Sequence, residues 1–201
     1  MESATKRFLH VGCGPLTKKH LKGFLEDDWT EVRFDIDPDV NPDIIGTITD
    51  MTGVESESVD AVYSAHNVEH VFPHLVPNML SEFHRVLKPN GFLLVTCPDL
   101  LAVSEAIIRI GIDEVLYESP MGPITPLDIL FGHIASVQSG NEYMAHKGGF
   151  TLKSLMSRLQ EAGFLAMMGN RRPQHVDLWV LAYKGDVEEA DAEMDRYRYM
   201  P

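Results

Sequence analysis

The chain has 201 residues, of which 44% are hydrophobic and 23% charged, so length and composition favour one globular domain over a disordered chain. Its 17 basic residues are outnumbered by 30 acidic ones, and a formal net charge of −13 argues against a protein that grips a nucleic-acid backbone. The apolar runs are far shorter than the roughly 20 residues that cross a bilayer, so no membrane partner is expected.

Cellular location is indicated by the cysteines and by the N-terminus. Two cysteines, Cys13 and Cys97, are too few for a disulfide framework or a metal cluster, so free thiols in a reducing compartment and no metal site are expected. The N-terminus lacks the apolar stretch of a signal peptide. The sequence therefore predicts a cytoplasmic protein.

Strand-like and helix-like segments alternate along the chain, which predicts an α/β domain with a parallel sheet covered by helices. In chain order, the predicted strands are residues 7–11, 31–34, 43–48, 59–64, 91–97, 164–168 and 176–183. Helices are predicted over residues 16–25, 76–87, 101–110 and 151–162. Residues 1–184 would form a single domain, and the acidic tail 185–201 would be a frayed helix or partly disordered.

A glycine-rich turn, Val11-Gly-Cys-Gly-Pro15, follows the first predicted strand. Gly12 and Gly14 allow a sharp turn and a close approach of ligand to backbone. Asp35 ends the second predicted strand about 20 residues further on, where an acidic side chain can accept hydrogen bonds from ribose hydroxyls. Thr17 occupies the third glycine position of the dinucleotide fingerprint, which points to a ligand without a pyrophosphate.

Together with the rest of the chain, this turn resembles the class I S-adenosylmethionine-dependent methyltransferases, in the small-molecule branch called methyltransferase type 11. The matching stretches are residues 8–15, 32–38, 50–51, 59–70, 82–91 and 146–151. Asn90 replaces a usual glycine and suits the same turn. The resemblance implies a Rossmann-like, seven-stranded, mostly parallel sheet with an antiparallel last strand, and helices on both faces.

The same resemblance implies S-adenosylmethionine as cofactor and assigns roles to residues at the strand ends. The turn would lie against the methionine and ribose portion, and Asp35 would bind the ribose, with Asp37 as a second candidate. Asp50 would bind the adenine amino group, while Met51 packs on the ring and offers its backbone N–H. The full cofactor set is Val11, Gly12, Cys13, Gly14, Asp35, Ile36, Asp50, Met51, Ser64, Ala65 and His66.

The sequence gives less information about catalysis and acceptor binding than about the cofactor site. His66 and His146 are candidate bases, although methyl transfer from a sulfonium can proceed by positioning and desolvation alone. The neighbouring pair Glu69-His70 is assigned to structure. Residues 99–150 interrupt the α/β rhythm and are expected to form the lid or wall of the acceptor pocket. Its candidate lining residues are Tyr117, His133, Tyr143, His146 and Phe150.

Two other function classes remain open at this point. The spacing of Tyr143 and Lys147 matches that of short-chain dehydrogenases, in which both side chains share a helix face, although Gly148-Gly149 undercuts a helix. A non-catalytic, cofactor-binding partner subunit is the second alternative. Residues 64–67 lack the proline-containing stretch typical of nucleobase amino methyltransferases, so a small-molecule O or N acceptor is favoured. A homodimer is left open.

Overall fold

A seven-stranded mixed sheet forms the centre of the computed structural model, which describes residues 5–26 and 28–201. The strands lie in the order β3-β2-β1-β4-β5-β9-β8, and only β9 runs antiparallel to its neighbours. This confirms the predicted mostly parallel sheet with an antiparallel last strand. The strands are β1 (Lys6–Val11), β2 (Trp29–Asp35), β3 (Ile44–Ile45), β4 (Val59–Ala65), β5 (Leu87–Pro98), β8 (Ala166–Arg172) and β9 (Asp177–Tyr183).

The first face of the sheet is covered by α1 (Val76–Val86) and α5 (Leu152–Glu161). Apolar side chains recur every three or four residues along α1, which places them on one side of the helix. Leu80, Phe83 and Leu159 are fully buried against strand residues of the largest apolar cluster. Both helices lie close to the ranges that the sequence predicts.

The second face of the sheet is covered by α6 (Glu189–Tyr199), which lies in the tail that the sequence predicts to be frayed or disordered. Tyr199 is 2% exposed and packs at ring-centroid distances of 5.0 Å from Phe24 and 4.9 Å from Phe92. Aromatic burial of this size stabilises a helix that its acidic composition alone would not. The tail therefore forms a helix, as one of the two predicted alternatives had it, but this helix packs on the core and is not frayed.

The predicted helix over residues 16–25 is also wrong, because this segment forms only a short 3-10 turn, Lys18–His20, followed by irregular turns. Gly23 has φ +83°, outside the helical region, and a Cβ there would lie 2.2 Å from the Tyr199 ring. Leu21 and Phe24 are buried in the same cluster as Tyr199. The loop thus packs against α6 instead of forming its own helix.

Residues 99–150 pack at the carboxyl edge of the sheet. They contain α2 (Leu100–Ile110), a hairpin of β6 (Tyr117–Ser119) and β7 (Gly122–Ile124), α3 (Pro126–Phe131) and α4 (Ile134–Gln138). Both ends of the segment meet after β5, where Leu100 N–H donates to the Phe150 carbonyl at 2.9 Å. Across the described parts of the chain, no helix combines the length and apolar character needed to span a bilayer.

Candidate active site

The glycine turn leaves β1 at the carboxyl edge of the sheet. Gly12 has φ +61° and Gly14 φ +50°, both in the left-handed region that favours glycine. A Cβ on Gly12 would lie 2.6 Å from the Asn67 side chain. The Gly14 N–H donates to Asp35 Oδ2 at 2.8 Å, so the turn is tied to the end of β2 by the carboxylate that the sequence singles out.

The side chain of Arg33, in β2, holds the glycine turn in place, because the helix predicted over residues 16–25 does not form. Its guanidinium donates to the carbonyl oxygens of Gly14 at 2.5 Å and Leu16 at 3.2 Å. It also donates to Asn41 at 2.7 Å and Val40 at 3.1 Å, on the loop that follows β2. Only a planar guanidinium offers enough donors, in a fixed fork, to connect two separate loops in this way.

A cavity of about 370 Å³ opens between these loops, at the carboxyl ends of the parallel strands. Ligands of open α/β sheets bind at this edge. Five of the predicted cofactor residues line the cavity: Gly12, Gly14, Asp35, Ile36 and His66. Asp37, the second candidate for the ribose, also lines it. Asp37 also accepts from the Asp39 N–H, and its own N–H donates to Asp35 Oδ1 at 3.0 Å.

Six predicted cofactor residues do not line the cavity: Val11, Cys13, Asp50, Met51, Ser64 and Ala65. Asp50 is exposed, and the Met51 N–H, which was expected to meet adenine, already donates to Glu82 Oε2 at 2.7 Å. Met51 and Ser64 are fully buried. Burial raises the pKa of the Cys13 thiol to about 11, so this side chain stays protonated beneath the turn.

Sequence reasoning missed the loop residues Thr47, Ile48 and Thr49, which line the cavity directly upstream of Asp50. β3 ends at Ile45, three residues earlier than the predicted strand, so the loop after it reaches the cavity sooner. The observed strand end therefore shifts the cavity contact from 50–51 to 47–49. The sequence predicted a loop after β3 but not the residue at which β3 ends.

A second cavity, of about 200 Å³, lies beside the first and is lined mainly by residues of the insertion, the segment 99–150. Three residues line both cavities: His66, His70 and Met144. The predicted acceptor residues Tyr117, His133 and His146 line the second cavity. Tyr143 lines the first cavity instead, and Phe150 is buried in the core, so neither lies where it was expected.

The dehydrogenase alternative requires Tyr143 and Lys147 to share a helix face. Tyr143 lies in the 3-10 turn Glu142–Met144, and residues 145–150 contain no helix. The backbone N–H groups of Lys147 and Gly148 both donate to the Glu69 carbonyl, at 2.9 and 3.0 Å. The spacing of tyrosine and lysine is therefore coincidental.

Glu69 is the most deeply buried charged group at the junction of the two cavities, with 1% exposure. Burial raises its pKa, but the nearby His66 and His70 outweigh this and hold the pKa below its ordinary value. The Glu69 carboxylate, 3.5 Å away, holds the pKa of His66 above its usual value. Burial lowers the pKa of His146, which favours the neutral imidazole.

Comparison with known protein families gives one matching domain model. Residues 9–95 match the family model described as a methyltransferase domain, a range that includes the glycine turn, Asp35 and the Glu69-His70 pair. No curated protein sequence matches the chain.

Solved structures share the whole fold at low sequence identity. A Methanosarcina mazei S-adenosylmethionine-dependent methyltransferase is 16% identical with a TM-score of 0.58, over 91% of this chain and 94% of that one. The Burkholderia thailandensis 1,6-didemethyltoxoflavin-N1-methyltransferase, with bound 1,6-didemethyltoxoflavin and S-adenosylhomocysteine, is 15% identical with a TM-score of 0.55, over 90% and 72%. The CurJ carbon methyltransferase is 14% identical with a TM-score of 0.60, over 92% and 50%.

The chain spans only 47% to 62% of the length of three of the matched structures. Residues 9–95, a little under half of the chain, match the methyltransferase domain, and the whole chain shares the fold of solved S-adenosylmethionine-dependent methyltransferases.

Proposed function

We propose that the chain transfers a methyl group to an oxygen or nitrogen atom of a small molecule held in the second cavity. The observation that carries this proposal is the common wall of His66, His70 and Met144 between the two cavities. A donor in the first cavity and an acceptor in the second would meet at this wall. Holding two reactants in such a geometry is the main contribution that a methyltransferase makes.

The first cavity fits S-adenosylmethionine, which supplies an electrophilic methyl group on a sulfonium. The space beside Gly14, where a Cβ would meet no atom within 4 Å, lets the ligand approach the backbone of the turn. The Asp35 carboxylate, 8% exposed, has capacity to accept from ribose hydroxyls beyond its bonds to the backbone. We assign the adenine contact to Ile48 and Thr49, in place of Asp50 and Met51.

The second cavity favours a small polar acceptor. Its volume of about 200 Å³ suits a metabolite better than a macromolecule. The net charge of −13 supports the same choice over nucleic acid. Of the two candidate bases, only His66 lines both cavities, so we assign it to receive a proton from the acceptor.

Names of the matched structures include both nitrogen and carbon methyltransferases, so the fold is compatible with more than one acceptor atom. We prefer oxygen or nitrogen because the histidines of the second cavity suit an acceptor that carries an exchangeable proton. We further propose a cytoplasmic protein without a membrane or large nucleic-acid partner. Its two unpaired, buried cysteines suit a reducing compartment.

Cofactor binding is tested by calorimetry with S-adenosylhomocysteine on the intact chain. Gly12→Val places a side chain into Asn67 and should abolish binding. Asp35→Ala should weaken it by about 100-fold or more, since two charge-assisted hydrogen bonds contribute about 1.5 kcal/mol or more each. Asp113→Ala is the matched control and should leave affinity unchanged, because Asp113 is exposed and lines neither cavity. Normal binding by Gly12→Val and Asp35→Ala, with native circular dichroism, would refute the assigned site.

Catalysis is tested by incubating the protein with methyl-labelled S-adenosylmethionine and fractionated small-molecule extracts. A labelled small molecule that requires the intact second cavity is the expected result. Cofactor binding without labelled product from any fraction would favour the non-catalytic subunit. A calorimetric response to NADH alone would favour the oxidoreductase alternative.

A further inference from the structure

Three potential metal ligands lie together in the second cavity, and one of them, His70, also belongs to the wall shared with the first cavity. Glu69 and His70 belong to the short turn Val68–His70 after β4, and His146 belongs to the insertion. One carboxylate oxygen and one ring nitrogen from each histidine lie within 4.8 Å of one another. The Glu69 carbonyl also accepts the N–H groups of Lys147 and Gly148, which fixes the insertion beside the turn.

The Glu69 carboxylate lacks the partners that a buried charge requires. Within residues 5–26 and 28–201, no hydrogen bond reaches either of its oxygens, although both are buried. His66 Nδ1 is 3.5 Å from Oε1, and His146 Nε2 is 4.0 Å from it. A buried carboxylate without hydrogen bonds is costly, so groups of this kind usually pair with a cation or coordinate a metal.

Both histidines are oriented as metal ligands are. His70 Nδ1 is 3.0 Å from the Ala145 carbonyl oxygen, and His146 Nδ1 is 2.8 Å from that of Ile129. A carbonyl oxygen can only accept, so each Nδ1 carries the proton and each Nε2 presents a lone pair. Metal-bound histidines in proteins are typically fixed in this way by a hydrogen bond from the other ring nitrogen.

We propose that Glu69, His70 and His146 bind a divalent transition-metal ion such as Zn²⁺, with an open coordination position facing the second cavity. Two histidines and one carboxylate form a known ligand set for catalytic zinc and for non-haem iron. In a tetrahedral site with metal–ligand bonds of about 2.0–2.2 Å, ligand atoms lie about 3.3–3.6 Å apart, so a separation of 4.8 Å would close by about 1.2–1.5 Å on binding. The sequence, with only two cysteines, predicts no such site.

The role of the ion rests on the proposed function. An open position on the wall of the second cavity would ligate an oxygen or nitrogen atom of the acceptor and hold it toward the first cavity. His66 does not belong to the ligand set and keeps its proposed role beside the ion. The alternative is that Glu69 only forms an ion pair with His66. In that case no metal ion binds the Nε2 atoms of His70 and His146.

The test is a titration of the chelator-stripped, full-length chain with Zn²⁺ by calorimetry and with Co²⁺ by visible absorption. We expect one site per chain, with Co²⁺ d–d bands typical of mixed nitrogen and oxygen ligation. Glu69→Gln, which keeps the side-chain shape, should lower Zn²⁺ affinity by more than about 100-fold, beyond the loss typical of a residue that only orients a metal ligand. His133→Gln is the matched control and should bind normally. Its Nδ1 bonds to Ser136 Oγ at 2.7 Å in the same cavity, outside the ligand set.

S-adenosylhomocysteine binding by each variant checks that the fold is intact, because Glu69 and His133 do not line the first cavity. A wild-type chain that binds S-adenosylhomocysteine but neither metal refutes the metal site alone. Equal loss of Zn²⁺ affinity in both variants also refutes it. A chain that binds Zn²⁺ but not S-adenosylhomocysteine overturns the proposed function and leaves the metal site supported.

Discussion

Replacement of Arg33 by lysine tests whether the Arg33 side chain holds the glycine turn in place, a role that the predicted helix over residues 16–25 was expected to have. Arg33 connects the turn to the loop after β2 through four carbonyl oxygens, and no α-helix follows the turn. Lysine keeps the charge but offers a single nitrogen atom on a flexible stem. It can reach one of the two loops, so at least two of the four hydrogen bonds should be lost.

The expected loss follows from the burial of Arg33, which is intermediate. Hydrogen bonds to charged groups contribute about 1.5–3 kcal/mol when buried, and a half-exposed pair is weaker, so two lost bonds cost about 2 kcal/mol. If the turn becomes disordered in the free protein, the ligand must order it on binding. About 2 kcal/mol then corresponds to roughly 30-fold weaker S-adenosylhomocysteine affinity.

Calorimetric titration of Arg33→Lys with S-adenosylhomocysteine measures this loss directly. Arg158→Lys on α5 is the matched control, because Arg158 lines neither cavity, and its affinity should equal that of the wild type. Affinity of Arg33→Lys within about twofold of the control would refute the reasoning, since RT ln 2 is only about 0.4 kcal/mol.

Two further predictions concern stability, both measured by urea unfolding. Tyr199→Ala should lower the free energy of unfolding by about 3–5 kcal/mol, because it leaves a cavity in the aromatic cluster. Tyr197 is 87% exposed, so Tyr197→Ala should change the free energy of unfolding by less than about 0.5 kcal/mol. Equal effects of the two variants would show that α6 does not cover the core. Hydrogen bonds from Arg85 lower the pKa of Glu82, so its contribution is present above its ordinary pKa of 4.5 and is lost as the pH falls through the lowered value. Glu82→Gln should therefore lose less stability than the wild type between about pH 5 and pH 3, and parallel curves would contradict this.

The alternation of strands and helices was readable from the sequence because periodicity and turn residues are local properties. α1 and α5 carry their apolar side chains on one face. The turn predicted at residues 88–91 was wrong, because these residues belong to β5, where the register with β4 shifts. The glycine turn and Asp35 were also found from local chemistry. Both depend on backbone freedom and on a carboxylate at a strand end, which a short stretch of sequence specifies.

The errors occur where a distant part of the chain decides the outcome. Residues 16–25 are apolar enough to suggest a helix, but Leu21 and Phe24 pack against Tyr199, which lies far along the chain. The acidic tail is helical for the same reason. Composition cannot reveal a contact between two segments that each look marginal alone, because the stabilising apolar area exists only after they meet.

The site shows the same division between local and tertiary information. The sequence by itself predicted a phosphate-free cofactor at the glycine turn and Asp35, and both line the first cavity. Only the tertiary structure placed loop residues 47–49 in that cavity and put Glu69 and His70 beside His146 of the insertion. The reason is physical: a cluster of side chains from separate elements is set by packing at the carboxyl edge of the sheet, and no local pattern encodes it.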